Sequence, residues 1–95
     1  MPLFAIYCVD KPGHEHVRAE NRPAHLEYSR NWAEQMVIGG PMLSADGERM
    51  VGSLLIIDLP DEAAARAWCE NDPYAKAGLF ESVLVRRYKK VLPEA

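Results

Sequence analysis

The residues LFAIYCV at positions 3–9, followed by DKPG at 10–13, decide the fold of this chain. β-Branched and aromatic residues in such a run predict a first strand, which the proline and glycine end. Alternate residues of a strand point to opposite faces. One face carries Leu3, Ala5, Tyr7 and Val9, and the other carries Phe4, Ile6 and Cys8. Both faces are apolar, which indicates that both are covered.

The segment after this strand predicts a polar loop and then a helix. The loop continues to about Glu20, Asn21 caps the helix, and Pro23 lies in its first turn, where a missing N–H costs nothing. Residues at helical spacing define its buried stripe: His25, Ser29, Trp32 and Met36. Gly39 and Gly40 end this helical region, because glycine is a poor helix former.

The second half predicts a hairpin, a helix and a last strand. Met42-Leu43 pairs with the strand Val51–Ile57 around an Asp46-Gly47 turn. Pro60, Asp61 and Glu62 open a helix that runs to about Glu70, because acidic residues favour a helix N-terminus. Asp72-Pro73 breaks it, and 82–88 forms the final strand.

The predicted order β-α-β-β-α-β defines a ferredoxin-like α+β fold with an antiparallel sheet. Two helices can cover only one face of that sheet, yet Leu54 and Ile56 repeat the apolar pattern on the face opposite Leu55 and Ile57. An uncovered apolar face would be larger than monomers usually carry. The pattern therefore predicts that a second copy of the chain pairs with the sheet, giving a homodimer or a higher homo-oligomer.

Length and composition place the chain among globular proteins with one domain, here residues 1–95. Nearly half of the residues are apolar and about a quarter are charged, which argues against disorder. The formal charge of −3 disfavours nucleic acid as a partner. With no apolar run of about 18 residues and no signal-peptide pattern, we expect a cytoplasmic protein without membrane association.

The chain has two cysteines, Cys8 and Cys69, each within an apolar stretch. We expect two buried, reduced thiols that act as small hydrophobes. A disulfide and a catalytic thiol are the alternatives. The sequence His14-Glu15-His16 invites a metal site, but neighbouring residues on a loop rarely aim at one ion without further ligands. We expect a solvated loop there and no metal.

Several short motifs together resemble the YciI-like (YCII-related) family of the dimeric α+β barrel superfamily. They are Arg22-Pro-Ala-His25-Leu26, Gly39-Gly-Pro-Met-Leu-Ser44, Asp46-Gly47, Gly52-Ser53 and Asn71-Asp72-Pro73-Tyr74 with the residues up to Phe80. The resemblance runs over residues 4–88. It implies the same ferredoxin-like dimer that the apolar pattern predicts.

The resemblance also implies a catalytic His25 that forms a dyad with Asp72. From the residues alone, His25 reads as a core histidine bonded to a carbonyl, and Asp72 as an ordinary Asp-Pro turn. A carboxylate beside a histidine fixes its tautomer and stabilises the imidazolium formed when it accepts a proton. The predicted substrate-binding set is Arg22, Gly40, Pro41, Ser44, Ser53, Tyr74, Leu79 and Phe80. Each of these has a structural alternative in packing, strand or turn.

Two functions of different classes follow. The first is a small cofactor-independent enzyme, a lyase or isomerase, in which His25 abstracts a proton from a small aromatic or lactone-like substrate. The second is a non-catalytic module that binds a small ligand or assists another enzyme.

Overall fold

The computed structural model describes residues 2–94. The elements, in chain order, are β1 (Leu3–Asp10), α1 (Glu15–Arg30), β2 (Met36–Leu43), β3 (Met50–Asp58), α2 (Glu62–Glu70), α3 (Pro73–Lys76) and β4 (Phe80–Tyr88). The four strands form one antiparallel sheet in the order β2-β3-β1-β4. The predicted ferredoxin-like α+β fold is confirmed, and α3 is a short addition to it.

The core lies between the sheet and the helices. Phe4 pairs with Ile57 across β1 and β3, and Ile6 pairs with Val85 across β1 and β4. All four side chains are fully or almost fully buried. From the helical side, α2 contributes Ala65, Trp68 and Cys69 to the same cluster. Apolar burial on this face is the main stabilising contribution to the fold.

The first helix differs from the prediction at both ends. It begins at Glu15, so the predicted loop up to Glu20 is helical, and Pro23 lies inside it. Asn21 does not cap the helix, because its side-chain amide donates to the Val17 carbonyl at 2.8 Å. Pro23 itself is exposed, and its missing N–H removes one backbone hydrogen bond from the helix.

The C-terminal end of this helix is also corrected. The helix ends at Arg30, Trp32 lies in the following turn, and Met36 already belongs to β2. Gly39 and Gly40 therefore do not end a helix but sit in β2, opposite Leu55 and Leu54. Sheet pairing supplies the backbone partners that a weakly helical, glycine-rich segment cannot supply for itself.

Gly52 marks a close approach of β3 to β1. A Cβ built at this position would run into the carbonyl oxygen of Cys8, so only glycine fits without a backbone shift.

Both cysteines are free and buried. Burial, and secondarily the nearby Asp72 carboxylate, raises the pKa of Cys69 to about 11. Burial also raises the pKa of Cys8 far above its ordinary value. Both groups are therefore neutral thiols, as predicted.

The second face of the sheet carries no helix in the part of the chain described. Tyr7 on β1 lies between Leu54 on β3 and Leu84 on β4, and all three side chains are 40% exposed or more. Ile38 and Met42 on β2 are also exposed. We call this surface, formed by Tyr7, Ile38, Met42, Leu54 and Leu84, the open face. Among residues 2–94, no helix is both long and apolar enough to cross a membrane.

Candidate active site

Two residues far apart in the chain meet at one end of the fold. His25 lies in α1 and Asp72 caps the short helix α3. The Nδ1 atom of His25 lies 2.9 Å from Oδ1 of Asp72, and the two side chains are 15% and 4% exposed. The Asp72 carboxylate accepts a second hydrogen bond from the Tyr74 backbone N–H at 2.9 Å. Asp72 is therefore held in place by the local turn and presents its charge to His25.

This contact fixes the chemistry available to the imidazole ring. A carboxylate only accepts hydrogen bonds, so the neutral ring carries its proton on Nδ1. The other ring nitrogen, Nε2, has no hydrogen-bond partner among residues 2–94. Nε2 is then the atom that can exchange a proton with a ligand, while Asp72 stabilises the imidazolium that results.

Tyr74 supports the imidazole from its face. The rings of His25 and Tyr74 stack at a centroid distance of 4.0 Å and an angle of 13°. Phe80 packs edge-on against Tyr74 with centroids 6.1 Å apart. Tyr74 is fully buried and so is itself held in place. Its ring therefore limits tilting of the His25 ring, a motion that the single hydrogen bond to Asp72 does not prevent.

A buried arginine lies against the same tyrosine. The guanidinium carbon of Arg18 is 4.6 Å from the centre of the Tyr74 ring. Its Nε and Nη2 donate to the two oxygens of Asp10 at 2.7 and 2.8 Å, and Nη2 also donates to Ser53 Oγ at 2.9 Å. Burial acts against the charge of Arg18, but the hydrogen bonds and charge of Asp10 outweigh it and raise the pKa of Arg18. The Arg18 guanidinium is therefore permanently ionised.

A pocket of about 410 Å³ opens beside these residues, between α1 and the strands β2 and β3. One helical stripe of α1 forms a wall, since Arg18, Arg22, His25, Leu26, Ser29 and Arg30 all line it. The opposite wall contains Met36, Gly39, Gly40, Pro41, Ser53 and Leu55, and Tyr74 and Ala33 complete it. The volume suits a small organic molecule.

The structure brings most of the predicted residues into this pocket. Arg22, His25, Gly40, Pro41, Ser53 and Tyr74 line it, and Asp72 lies behind His25.

Three predicted substrate-binding residues lie elsewhere. Ser44 stabilises the β2–β3 turn, where its hydroxyl donates to Asp46 at 2.6 Å and accepts from the Arg49 N–H. Leu79 is fully buried, and Phe80 packs behind Tyr74. These residues belong to the same short motifs as residues of the site. The hydrogen bonds of the turn hold Ser44 outside the pocket, and Leu79 and Phe80 pack into the interior and not along the pocket wall.

The sequence reasoning missed Arg18, Asp10 and Arg30. Arg18 and Arg22 are four residues apart and would share a helical face with His25. This spacing indicates a shared face only if Arg18 is helical, and the polar segment up to Glu20 predicts a loop. Asp10 lies in the DKPG segment at the end of the first strand, and that segment does not indicate an ion pair with Arg18. Among residues 2–94, no three His, Cys, Asp or Glu side chains are arranged to hold a metal ion.

The chain is similar to a known protein family and to individual proteins of known sequence. A family model described as YCII-related domain matches residues 2–89. The protein YciI of Escherichia coli is 34% identical over 96 residues, covering 94% of this chain and 98% of that protein. An uncharacterised protein of Haemophilus influenzae is 28% identical over 93% of this chain and 97% of its own length.

Among solved structures, one similar protein is an enzyme. The 5-chloro-2-hydroxyhydroquinone dehydrochlorinase TftG of Burkholderia phenoliruptrix, in complex with 2,5-dihydroxybenzoquinone, has a TM-score of 0.87 and 41% identity. The match covers 92% of this chain and 93% of TftG. An antibiotic biosynthesis monooxygenase, at 13% identity and a TM-score of 0.58, shares the fold alone.

Proposed function

We propose that this chain, which belongs to the YCII-related family, is a small cofactor-independent lyase that eliminates a leaving group from a hydroxylated six-membered ring. The observation that carries the proposal is the His25–Asp72 hydrogen bond of 2.9 Å at the wall of a 410 Å³ pocket. The similarity to TftG, which acts on a chlorinated hydroxyhydroquinone, supports this substrate class.

His25 is the proton-transfer group in this proposal. Its Nε2 takes a proton from one ring hydroxyl, and the carbon that bears the leaving group receives a proton, so the ring becomes a keto tautomer. A second hydroxyl then loses its proton as the leaving group departs with its bonding electron pair. The sum is loss of one H–X and formation of a quinone, and no external oxidant is needed.

Asp72 and Tyr74 prepare His25 for this task. The Asp72 carboxylate compensates the positive charge that develops on the ring, and the stacked Tyr74 keeps Nε2 at a fixed angle. A flat ring rests against the wall formed by Ser53, Gly40 and Pro41. Arg18 holds the Ser53 hydroxyl in place, and Gly40 has no side chain that would take up space.

Chloride release from 5-chloro-2-hydroxyhydroquinone under anaerobic conditions tests the proposal. The wild-type protein should release chloride, and His25→Ala should slow release by roughly 10²–10⁴-fold, the usual contribution of a positioned acid or base. The matched control is His16→Ala, an exposed histidine of the same helix, which should keep the wild-type rate. A His25→Ala protein as active as wild type would refute the role of His25. If the wild-type protein binds 2,5-dihydroxybenzoquinone but releases no chloride, a non-catalytic binding module is the better description.

We also propose that the open face packs on the open face of a second copy. Leaving Tyr7, Leu54 and Leu84 in water would expose a contiguous apolar surface at the centre of the sheet. Sedimentation at micromolar concentration should show a dimer, and Leu54→Asp should dissociate it. The control is Val37→Asp, an exposed edge-strand residue outside the open face. A stable wild-type monomer would contradict the proposal.

A further inference from the structure

The charge balance of the pocket wall identifies what kind of ligand it accepts. Four cationic or protonatable side chains line the pocket: Arg18, Arg22, His25 and Arg30. No carboxylate lies among the lining residues. Asp10 compensates Arg18 and Asp72 compensates His25. For the part of the chain described, Arg22 and Arg30 have no acidic side chain within 4.0 Å.

Arg22 is the more informative of these two arginines. Arg30 is exposed at the end of α1, where water solvates it. Arg22 is half-buried, and the contact found for its guanidinium is Nη1 to the Met50 sulfur at 3.2 Å. A thioether is a weak acceptor, so most of the five N–H donors of Arg22 remain available to a ligand.

The Tyr74 hydroxyl points to the same conclusion independently. Tyr74 lines the pocket and its hydroxyl is buried. Arg18 lies close enough to donate toward the hydroxyl oxygen, but among the residues described no acceptor lies within hydrogen-bond distance of the hydroxyl proton. A buried hydroxyl without an acceptor for its proton is energetically costly, and such groups in native proteins call for an explanation. Burial raises the pKa of Tyr74, against the opposing charges of Arg18 and Arg22. The group is therefore a neutral hydroxyl that can donate.

We propose that this pocket takes its ligand as an anion, with an ionised ligand oxygen held between the Arg22 guanidinium and the Tyr74 hydroxyl. The inference rests on the proposed function, from which it takes both this pocket as the substrate site and the hydroxylated ring as the substrate. The remaining walls, formed by Leu26, Ala33, Met36 and Leu55, are apolar and accommodate the ring. The substrate class is therefore an ionised hydroxyquinol or hydroxyquinone, or a similar flat acid, rather than a neutral phenol. Arg30 lies at the mouth and adds long-range attraction.

Binding of matched ring pairs by calorimetry tests this assignment. The first pair is 2,5-dihydroxy-1,4-benzoquinone, whose hydroxyls are vinylogous acids ionised near neutral pH, and its neutral 2,5-dimethoxy analogue. The second pair is benzoate and benzamide. The anion of at least one pair should bind about tenfold or more tightly than its neutral partner, as expected for a hydrogen bond to a charged group.

Variants then locate the preference. Arg22→Gln should abolish the preference for anions. Arg22→Lys should retain most of the electrostatic attraction but lose the forked hydrogen-bond geometry of the guanidinium. Tyr74→Phe keeps the aromatic side chain and removes the hydroxyl, so it should weaken anion binding by roughly three- to tenfold. The control is Arg66→Gln, which removes the same charge from α2, where Arg66 pairs with Glu62. It should leave anion binding unchanged. Thermal unfolding of each variant shows that the fold is intact.

Three results would overturn the assignment: neutral rings binding as tightly as their anions, no anion of either pair binding, or Arg66→Gln matching Arg22→Gln. His25→Ala separates this inference from the proposed function. It should lose turnover but keep the anion preference. If His25→Ala still turns over substrate and still prefers anions, the proposed reaction is wrong and the anion site stands. If His25→Ala loses both turnover and the preference for anions, the role of His25 stands and the anion site formed by Arg22 and Tyr74 is wrong.

Discussion

Two hydrogen-bonded side-chain pairs, Arg18 with Asp10 and His25 with Asp72, flank Tyr74, and they differ in how many hydrogen bonds they make. In the first, Arg18 makes three hydrogen bonds, two to Asp10 and one to Ser53. In the second, His25 makes one bond to Asp72 and keeps a ring nitrogen without a partner among residues 2–94. The first pair keeps the permanent charge of Arg18, and the second leaves a ring nitrogen at which the proposed reaction exchanges a proton.

Under the proposed function, hydrogen-bonded pairs of similar geometry serve the structure in one place and proton transfer in the other. Arg18 stays ionised at any physiological pH, so its pair with Asp10 can only hold β1, β3 and α1 together. An imidazole has a second ring nitrogen that can accept a proton, so in the proposed reaction His25 takes up and returns a proton beside Asp72. The Tyr74 ring contacts Arg18 and His25, so it joins the two pairs.

The largest effect should come from breaking the Arg18–Asp10 pair. Arg18→Met leaves the Asp10 carboxylate buried without its partner, so we expect the free energy of unfolding to fall by about 3–5 kcal/mol in urea titration. The control is Arg49→Met, which breaks the exposed pair with Glu15 and should cost under about 1 kcal/mol. Equal losses in the two variants would show that the Arg18 cluster is not a structural anchor.

The second effect, in rate rather than stability, should come from neutralising the His25–Asp72 pair. Asp72→Asn keeps a side-chain oxygen for the Tyr74 N–H but removes the charge that stabilises the imidazolium. We expect chloride release to slow by roughly 100-fold, equivalent to about 2.7 kcal/mol of transition-state stabilisation. The unfolding free energy should stay within about 1 kcal/mol of wild type, because the helix cap is retained. A slow enzyme that is also largely unfolded would mean that Asp72, like Asp10, is chiefly structural.

The smallest effect should come from the turn that contains Ser44. The Ser44 hydroxyl, then the Glu48 N–H, lower the pKa of Asp46. A lowered folded-state pKa contributes stability that is present above the ordinary aspartate range and lost as the pH falls through the folded value. Ser44→Ala should raise the pKa of Asp46 in an NMR titration and reduce that acid-range dependence, while chloride release is unchanged. A clear loss of turnover would instead return Ser44 to the substrate-binding set.

Most of the fold can be predicted from the sequence, because the patterns that indicate its strands and helices are local and periodic. The alternation in residues 3–9, the Asp46-Gly47 turn and the acidic start of α2 each act over a few residues. The start of α1 escaped prediction because no side chain caps it and Pro23 suggested a first turn. Met36 continues the helical spacing of α1 in the sequence, but pairing with β3 places it in a strand.

The site was predictable only through motifs. His25 and Asp72 are 47 positions apart, and nothing local indicates that α1 and α3 meet. The Arg18–Asp10–Ser53 cluster was not predictable, since it joins a helix and two strands whose relative placement depends on the whole sheet. The pocket wall likewise depends on how far α1 stands from β2, which no residue pattern reports.

NMR of protein with ¹⁵N-labelled histidine can follow the two ring nitrogens of His25 and so test its role most directly. In the neutral ring we expect the proton on Nδ1, bonded to Asp72, and an unprotonated Nε2. Adding 2,5-dihydroxybenzoquinone should shift the Nε2 resonance strongly and leave Nδ1 protonated. A neutral ring protonated on Nε2, or an Nε2 resonance that does not respond to the bound ring, would contradict the claim that His25 transfers a proton under the control of Asp72.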